Sequence, residues 1–174
     1  MRCRVNIQCK MLSKKIIDAL NKQVNAEIHS AYLYLAMSAN FETKNLKGFS
    51  HWMRTQAKEE LEHAMRIYDY VVSTGSKAKF FTIPQPPLNW GSPLTMVKEV
   101  YKHESKVTSL INGLVNLSIS EKDHATFNML QWFVTEQVAE EAQTDQLVKD
   151  LTLIDQHSGG LFTIDRELAK RTSD

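Results

Sequence analysis

Glu60-Leu61-Glu62-His63 places a carboxylate and an imidazole three residues apart. On a helix that spacing turns both side chains to one face, where they can chelate one metal ion or share two. One such pair arises on many helices by chance. Its weight comes from three other acids, Glu27, Glu104 and Glu140, each standing where an apolar residue is expected. The fourth helical stretch carries Gln137-Val138-Ala139-Glu140 in place of a second Glu-x-x-His. One metal position then takes Glu27, Glu60 and His63. The other takes Glu60, Glu104 and Glu140 with Gln137 nearby, and Glu60 bridges the two. Carboxylates with one imidazole suit Fe²⁺ or Mn²⁺. The second position lacks a histidine and should hold its ion less tightly.

Four long amphipathic stretches must position these groups. Their apolar stripes are Leu20, Val24, Glu27, Ala31, Leu35; Phe49, Met53, Gln56, Glu60, His63, Ile67, Val71; Val97, Val100, Glu104, Val107, Ile111, Leu114; and Phe127, Leu130, Val134, Gln137, Glu140, Thr144, Leu147, Leu151. All keep the three-or-four spacing of one helix face. A buried, unpaired carboxylate costs several kcal/mol, so four together would cost on the order of 10 kcal/mol or more. Whole domains are stable by only roughly 5–15 kcal/mol. No Arg or Lys interrupts the stripes. Divalent cations between the helices would neutralise the cluster, and four carboxylates balance two M²⁺ ions.

Local signals set the boundaries. Ser13 caps a first helix to about Phe41, followed by a polar turn over Glu42 to Lys47. A second helix begins near Gly48 and ends near Thr74, with Gly75 just past its end. Pro84, Pro86 and Pro87 make residues 76–91 extended, with large apolar groups that should pack along the bundle. A connection of that length lets the third helix start at the end where the second began. Ser92-Pro93 opens that third helix, which runs to about Ser120. Asp123 caps a fourth helix ending near Asp155. His157 to Gly160 is a turn, and Leu161 to Lys170 is a short fifth helix. The fold class is all-α, a four-helix bundle with a long crossover between helices two and three and a short C-terminal fifth helix.

Composition bounds the function. The chain has 174 residues, 43% hydrophobic and 24% charged, with a net charge of +1. That length suits one domain, and the charge balance gives no case for nucleic acid or a membrane surface. No apolar run reaches membrane-span length. Both cysteines, Cys3 and Cys9, lie in the first ten residues. A disulfide framework is not expected, and a reducing cytoplasm is the natural compartment. Residues 1–10 read as a flexible basic extension ahead of the domain at 11–171.

Across residues 11–171 the chain resembles the non-haem ferritins of bacterial and archaeal type. The likeness is carried by Asn25-Ala26-Glu27-Ile28, Tyr34, Gln56 to His63 (QAKEELEH), Tyr101-Lys102-His103-Glu104 and Phe127 to Gln137 (FNMLQWFVTEQ). The resemblance implies the ferritin-like form of the bundle and a ferroxidase centre at Glu27, Glu60, His63, Glu104 and Glu140. Tyr34 and Gln137 would assist, Tyr34 through a hydrogen bond to a metal carboxylate or as a one-electron donor. Two iron ions per subunit would be oxidised by O₂ or H₂O₂. Ferric mineral would be stored in a hollow homo-oligomeric shell of 24 subunits, with the fifth helix at the four-fold axes. The resemblance also implies a weaker third iron site at Glu59, Glu136 and Glu140. Ala139 stands where many relatives have a further glutamate. Bacterioferritins have a histidine at the place of Glu140, so no haem is expected.

Other residues are read as ordinary. Trp132 should pack near the fourth-helix ligands. His29, His51, His103, His124 and His157 should lie at the surface, and Glu62, Glu121 and Glu141 on solvated faces. The alternative function for the same site is a di-metal oxidase or oxygenase acting on an organic substrate. Such enzymes usually keep Glu-x-x-His in both halves, which Gln137 and Glu140 do not provide. A bundle whose acids are purely structural would need Arg or Lys partners.

Overall fold

The computed structural model describes residues 12–154 and 159–171, and among them all regular structure is helical. The helices are α1 (Lys14–Thr43), α2 (Lys47–Ser73), α3 (Pro93–Ser120), α4 (His124–Ile154) and α5 (Gly160–Leu168). The extension at 1–10, the expected helix end at Asp155 and the turn residues His157 and Ser158 lie outside the described residues.

The helix starts follow from capping chemistry. Ser13 Oγ accepts from the Ile16 amide at 3.3 Å, and Ser92 Oγ from that of Thr95 at 3.2 Å with Pro93 in the first turn. Asp123 accepts from the Thr126 amide at 3.2 Å. Each side chain satisfies an amide the helix itself leaves without a partner. Three helix ends share one closing motif. After α2, Gly75 has φ +74°, Gly75 N donates to Val72 O and Ser76 N to Val71 O. Asn45 and Lys122 take the same left-handed position after α1 and α3, at φ 57° and 55°. This lets α1 run to Thr43, so the turn into α2 is shorter than the expected Glu42–Lys47.

The end of α2 that meets α1 lacks a cap of its own, because Leu46 offers no acceptor. Asp165 of α5 supplies it, accepting from Gly48 N at 2.8 Å and Phe49 N at 3.0 Å. A side chain at Gly48 would put its Cβ 1.6 Å from the Asp165 carbonyl oxygen. Glycine is therefore needed here for the close approach of α5.

Two apolar clusters fix the topology. One joins Met37 and Phe41 late in α1, Phe49 and Met53 early in α2, Met96 and Val100 early in α3, and Leu147 and Leu151 late in α4. The other joins Ile16 and Leu20, Ile67 and Val71, Ile111 and Leu114, and Leu130 and Phe133. The starts of α2 and α3 thus share one end of the bundle, which requires the long crossover. The side chains of Asn21 and Asn25, one turn apart on α1, accept from the amides of Lys79 and Phe81 at 2.9 and 3.1 Å and hold the crossover along that helix. Of the large apolar groups expected to pack, Trp90 reaches the core, but Phe80 and Leu88 are 65% and 77% exposed and Phe81 is exposed too. Leu161, Ile164 and Leu168 of α5 pack against the first cluster.

The stripes hold with local corrections. Leu35 is 53% exposed, and Tyr34 takes the core position instead. Two successive steps of four carry a helix position some 40° per step off the face, and a step of three restores it. On α4, Phe127 and Val134 are half-buried and Phe133 is the core member.

Candidate metal centre

Each of the four acids sits at the seam between the two apolar clusters. Glu27, Glu60, Glu104 and Glu140 are 1%, 1%, 0% and 3% exposed. The long crossover aligns their levels by running α2 and α3 in the same direction.

Glu27, Glu60 and His63 each offer a ligand atom, all within 4.8 Å of one another. His63 Nδ1 lies 3.6 Å from Glu60 Oε2. The His63 ring is wedged edge-on against Trp132 and Phe133, at 5.3 and 6.0 Å between centroids. Burial first, and then the Arg66 charge, hold its pKa down to about 4. At neutral pH the imidazole is therefore uncharged, the state a metal requires. Glu27 Oε1 accepts from Gln23 Nε2 at 2.8 Å, but Glu27 Oε2 and Glu60 Oε2 are buried without a hydrogen-bond partner. Two orphaned acceptors facing a neutral imidazole form a cation's donor set.

The opposite half is wired differently. Glu104 accepts from the Tyr34 hydroxyl at Oε1 and from Gln137 Nε2 at Oε2, the latter at 3.2 Å. Glu140 Oε2 accepts from Gln56 Nε2 at 2.9 Å. The oxygens named here are occupied by protein donors.

Electrostatics join the halves. Burial pushes Glu27 and Glu140 up to about 7, and the Glu104 charge pushes both further in that direction. Burial also raises Glu60 well above the carboxylate range, helped by the charges of Glu27 and Glu104. Burial raises Glu104 as well, against the hydrogen bonds from Tyr34 and Gln137. The acids cannot all ionise together without added positive charge, and a divalent cation supplies it.

Tyr34 is fully buried and bound to the cluster as expected. Trp132 packs on His63, with the Arg66 guanidinium 4.1 Å above its ring. Glu136 is half-buried on α4. His103 departs from its expected surface position. It is half-buried, its Nε2 is 2.8 Å from Ser30 Oγ, and its ring meets Tyr34 edge-on at 5.7 Å. Its place beside Glu104 was the signal, since a helix neighbour of a core residue need not be solvated. Gln23 was also missed, although it lies one turn before Glu27 and the spacing places it within reach. Arg171 was missed because only the docking of α5 brings it near. It pairs with Glu59 at 2.8 Å.

A parallel-crossover bundle with an acid from each of its four long helices and one imidazole at its centre defines the class of di-metal carboxylate bundles. The particular family follows from comparison with known proteins. The chain belongs to the ferritin family, whose ferritin-like domain matches residues 17–154. It is 40% identical over 161 residues to a bacterial non-heme ferritin of Bacteroides fragilis, covering 92% of this chain and 100% of that one. A bacterial non-heme ferritin of Escherichia coli is 36% identical over 159 residues, covering 91% and 96%. Among solved structures, the open pore ferritin of the hyperthermophilic archaeon Archaeoglobus fulgidus superposes with a TM-score of 0.91 at 48% identity, covering 92% of this chain and 98% of that one.

Proposed function

We propose that this protein is an iron-storage ferroxidase whose reaction occurs at Glu27, Glu60, His63, Glu104 and Glu140. The observation that carries this is the pair of orphaned oxygens, Glu27 Oε2 and Glu60 Oε2, beside the neutral His63 in a buried acidic core. Iron is substrate and cargo here, not a resident cofactor. A first Fe²⁺ is held by Glu27, Glu60 and His63. A second is held by Glu60, Glu104 and Glu140, with Gln137 orienting Glu104. Two Fe²⁺ supply two electrons, and O₂ takes them with two protons to leave H₂O₂ and two Fe³⁺. The acids release protons as Fe²⁺ enters, which supply the two that O₂ takes, and regain them as Fe³⁺ leaves. Tyr34 keeps Glu104 oriented through its hydroxyl and serves as a one-electron donor.

Residues 11–171 act as one domain. The chain assembles into a homo-oligomeric shell, for which we propose 24 subunits, and ferric mineral accumulates inside it in the cytoplasm. No helix among the described residues is long and apolar enough to cross a membrane. An oxidase acting on an organic substrate would call for two firmly held metals. The second half, with its oxygens engaged by protein donors and no imidazole, does not favour that reading.

The test is an anaerobic Fe²⁺ titration of the assembled protein followed by air, reading ferric absorbance and particle size. Rapid oxidation of about two irons per chain, then uptake of many more into a large particle, is the expected result. Oxidation that stops at two irons with none stored would replace storage with a di-iron enzyme.

A further inference from the structure

Arg171 lies beyond α5, at the edge of the cluster between α2 and α4. Its guanidinium donates to Gln56 Oε1 and, at 2.8 Å, to Glu59 Oε2. The Arg171 and Glu59 side chains are only 20% and 19% exposed, so this ion pair is largely removed from solvent. Gln56 is fully buried and spends its other end on Glu140, its Nε2 donating to Glu140 Oε2 at 2.9 Å. The planar fork of one arginine thus engages Glu59 directly and Glu140 through a single amide. With Oε1 committed to Arg171, Gln56 can present only its amino group to Glu140. The Arg171 charge also acts on Glu140, opposing that of Glu59. The main chain holds the tail in place independently, since His51 Nε2 donates to the Arg171 carbonyl at 2.7 Å.

We propose that Arg171 is a tethered counter-cation that closes this edge of the cluster to a third divalent ion and positions Glu140 through Gln56. Glu59 and Glu140 are two carboxylates on adjacent helices, half-buried Glu136 lies one turn before Glu140, and Ala139 adds no further one. The guanidinium neutralises this edge permanently, so Fe²⁺ is confined to the two central positions. Arg171 is a positioning residue, acting on iron through Gln56 and Glu59. The inference rests on the iron-binding reading above.

The test is anaerobic Fe²⁺ calorimetry on the assembled protein and three variants, with particle size as a check. The parent should bind about two Fe²⁺ per chain. Arg171→Gln should bind about three, the third at least roughly tenfold tighter than any further ion in the parent. Adding Glu59→Gln to that variant should return the count to two. Glu59→Gln alone keeps the shape and an acceptor for Arg171, and should leave the count at two. A parent that binds no Fe²⁺ overturns the iron reading and this inference with it. A parent that binds about two, with Arg171→Gln identical to it, overturns only the inference. So does a parent count of three, or a count below two in Glu59→Gln alone. If Arg171→Gln does not assemble, Glu59→Gln alone still decides, because it separates a ligand of iron from a partner of Arg171.

Discussion

The two halves of the candidate metal centre carry almost the same residue types and differ in what satisfies their oxygens. Around Glu27, Glu60 and His63, two buried carboxylate oxygens have no donor and the ligand atoms already converge within 4.8 Å. Around Glu104 and Glu140, Tyr34, Gln137 and Gln56 provide the donors. A cation entering the first half displaces the protons that burial holds on these acids, but no protein donor from the two orphaned oxygens. One entering the second must displace or share hydrogen bonds worth about 1.5–3 kcal/mol each when they involve charged groups. On the proposed function, this difference would let one bundle hold one ion firmly and pass another through.

Removing the residue common to both halves should have the largest effect. Losing a group that merely orients a metal ligand costs about 10–100-fold in affinity or activity. Glu60→Ala should therefore slow Fe²⁺ oxidation by more than about a hundredfold, read by stopped-flow absorbance, with particle size unchanged. Loss of the assembled particle would instead make Glu60 a structural residue.

The next pair of variants tests whether the halves are separable. His63→Ala should abolish the tighter of two calorimetric Fe²⁺ phases. Glu140→Ala should abolish the weaker phase and leave the tighter one within about threefold, a change of under 1 kcal/mol. Equal loss of both phases in Glu140→Ala would erase the distinction.

Tyr34→Phe sharpens the contrast from the hydrogen-bond side. It frees Glu104 Oε1, so the weaker phase should tighten slightly. Oxidation should still slow by roughly tenfold, the scale of losing one hydrogen bond to a charged group. Unchanged oxidation would leave Tyr34 a packing residue.

The metal-free protein should also report on both halves through pH. Glu27 and Glu140 titrate at about 7 in the fold and near 4.5 when unfolded. Each binds its proton more tightly when folded. The stabilisation is fully present below about 4.5 and is lost as pH rises through about 7. The melting temperature without metal should fall between pH 5 and pH 8 (round values spanning that window). Glu27→Gln and Glu140→Gln should each flatten the fall. Added divalent cation should restore more stability at the upper end, where fewer protons compete. A melting temperature independent of pH would show that the acids are not buried as described.

The smallest effect lies away from the site. Asp165→Ala removes the acceptor for Gly48 N and Phe49 N and should cost about 1 kcal/mol, the usual value of a helix cap, with the tighter iron phase unaffected. A loss of Fe²⁺ binding there would mean that α5 docking controls the centre more strongly than its contacts indicate.

Much of this was legible in the chain because it depends on local periodicity. Four stripes, their caps at Ser13, Ser92 and Asp123, and the proline-broken crossover determined four helices and their directions. An acid placed in step with Val, Leu and Ile on each helix must enter the core, since a helix cannot turn one residue away from its face. That reasoning put Glu27, Glu60, His63, Glu104, Gln137 and Glu140 in one buried layer, where the structure places them. It erred at Leu35, where the true repeat of 3.6 residues carries Tyr34 inward instead. Contacts between residues far apart in the chain were decided only by tertiary structure. Asp165 caps a helix that begins more than a hundred residues earlier, and Arg171 reaches Glu59 and Gln56 only because α5 folds back onto α2. The same is true of the unequal wiring of the two halves. A side chain's type tells what it can bond to, but its partner depends on how the helices are set against one another, and no spacing along a single helix encodes that.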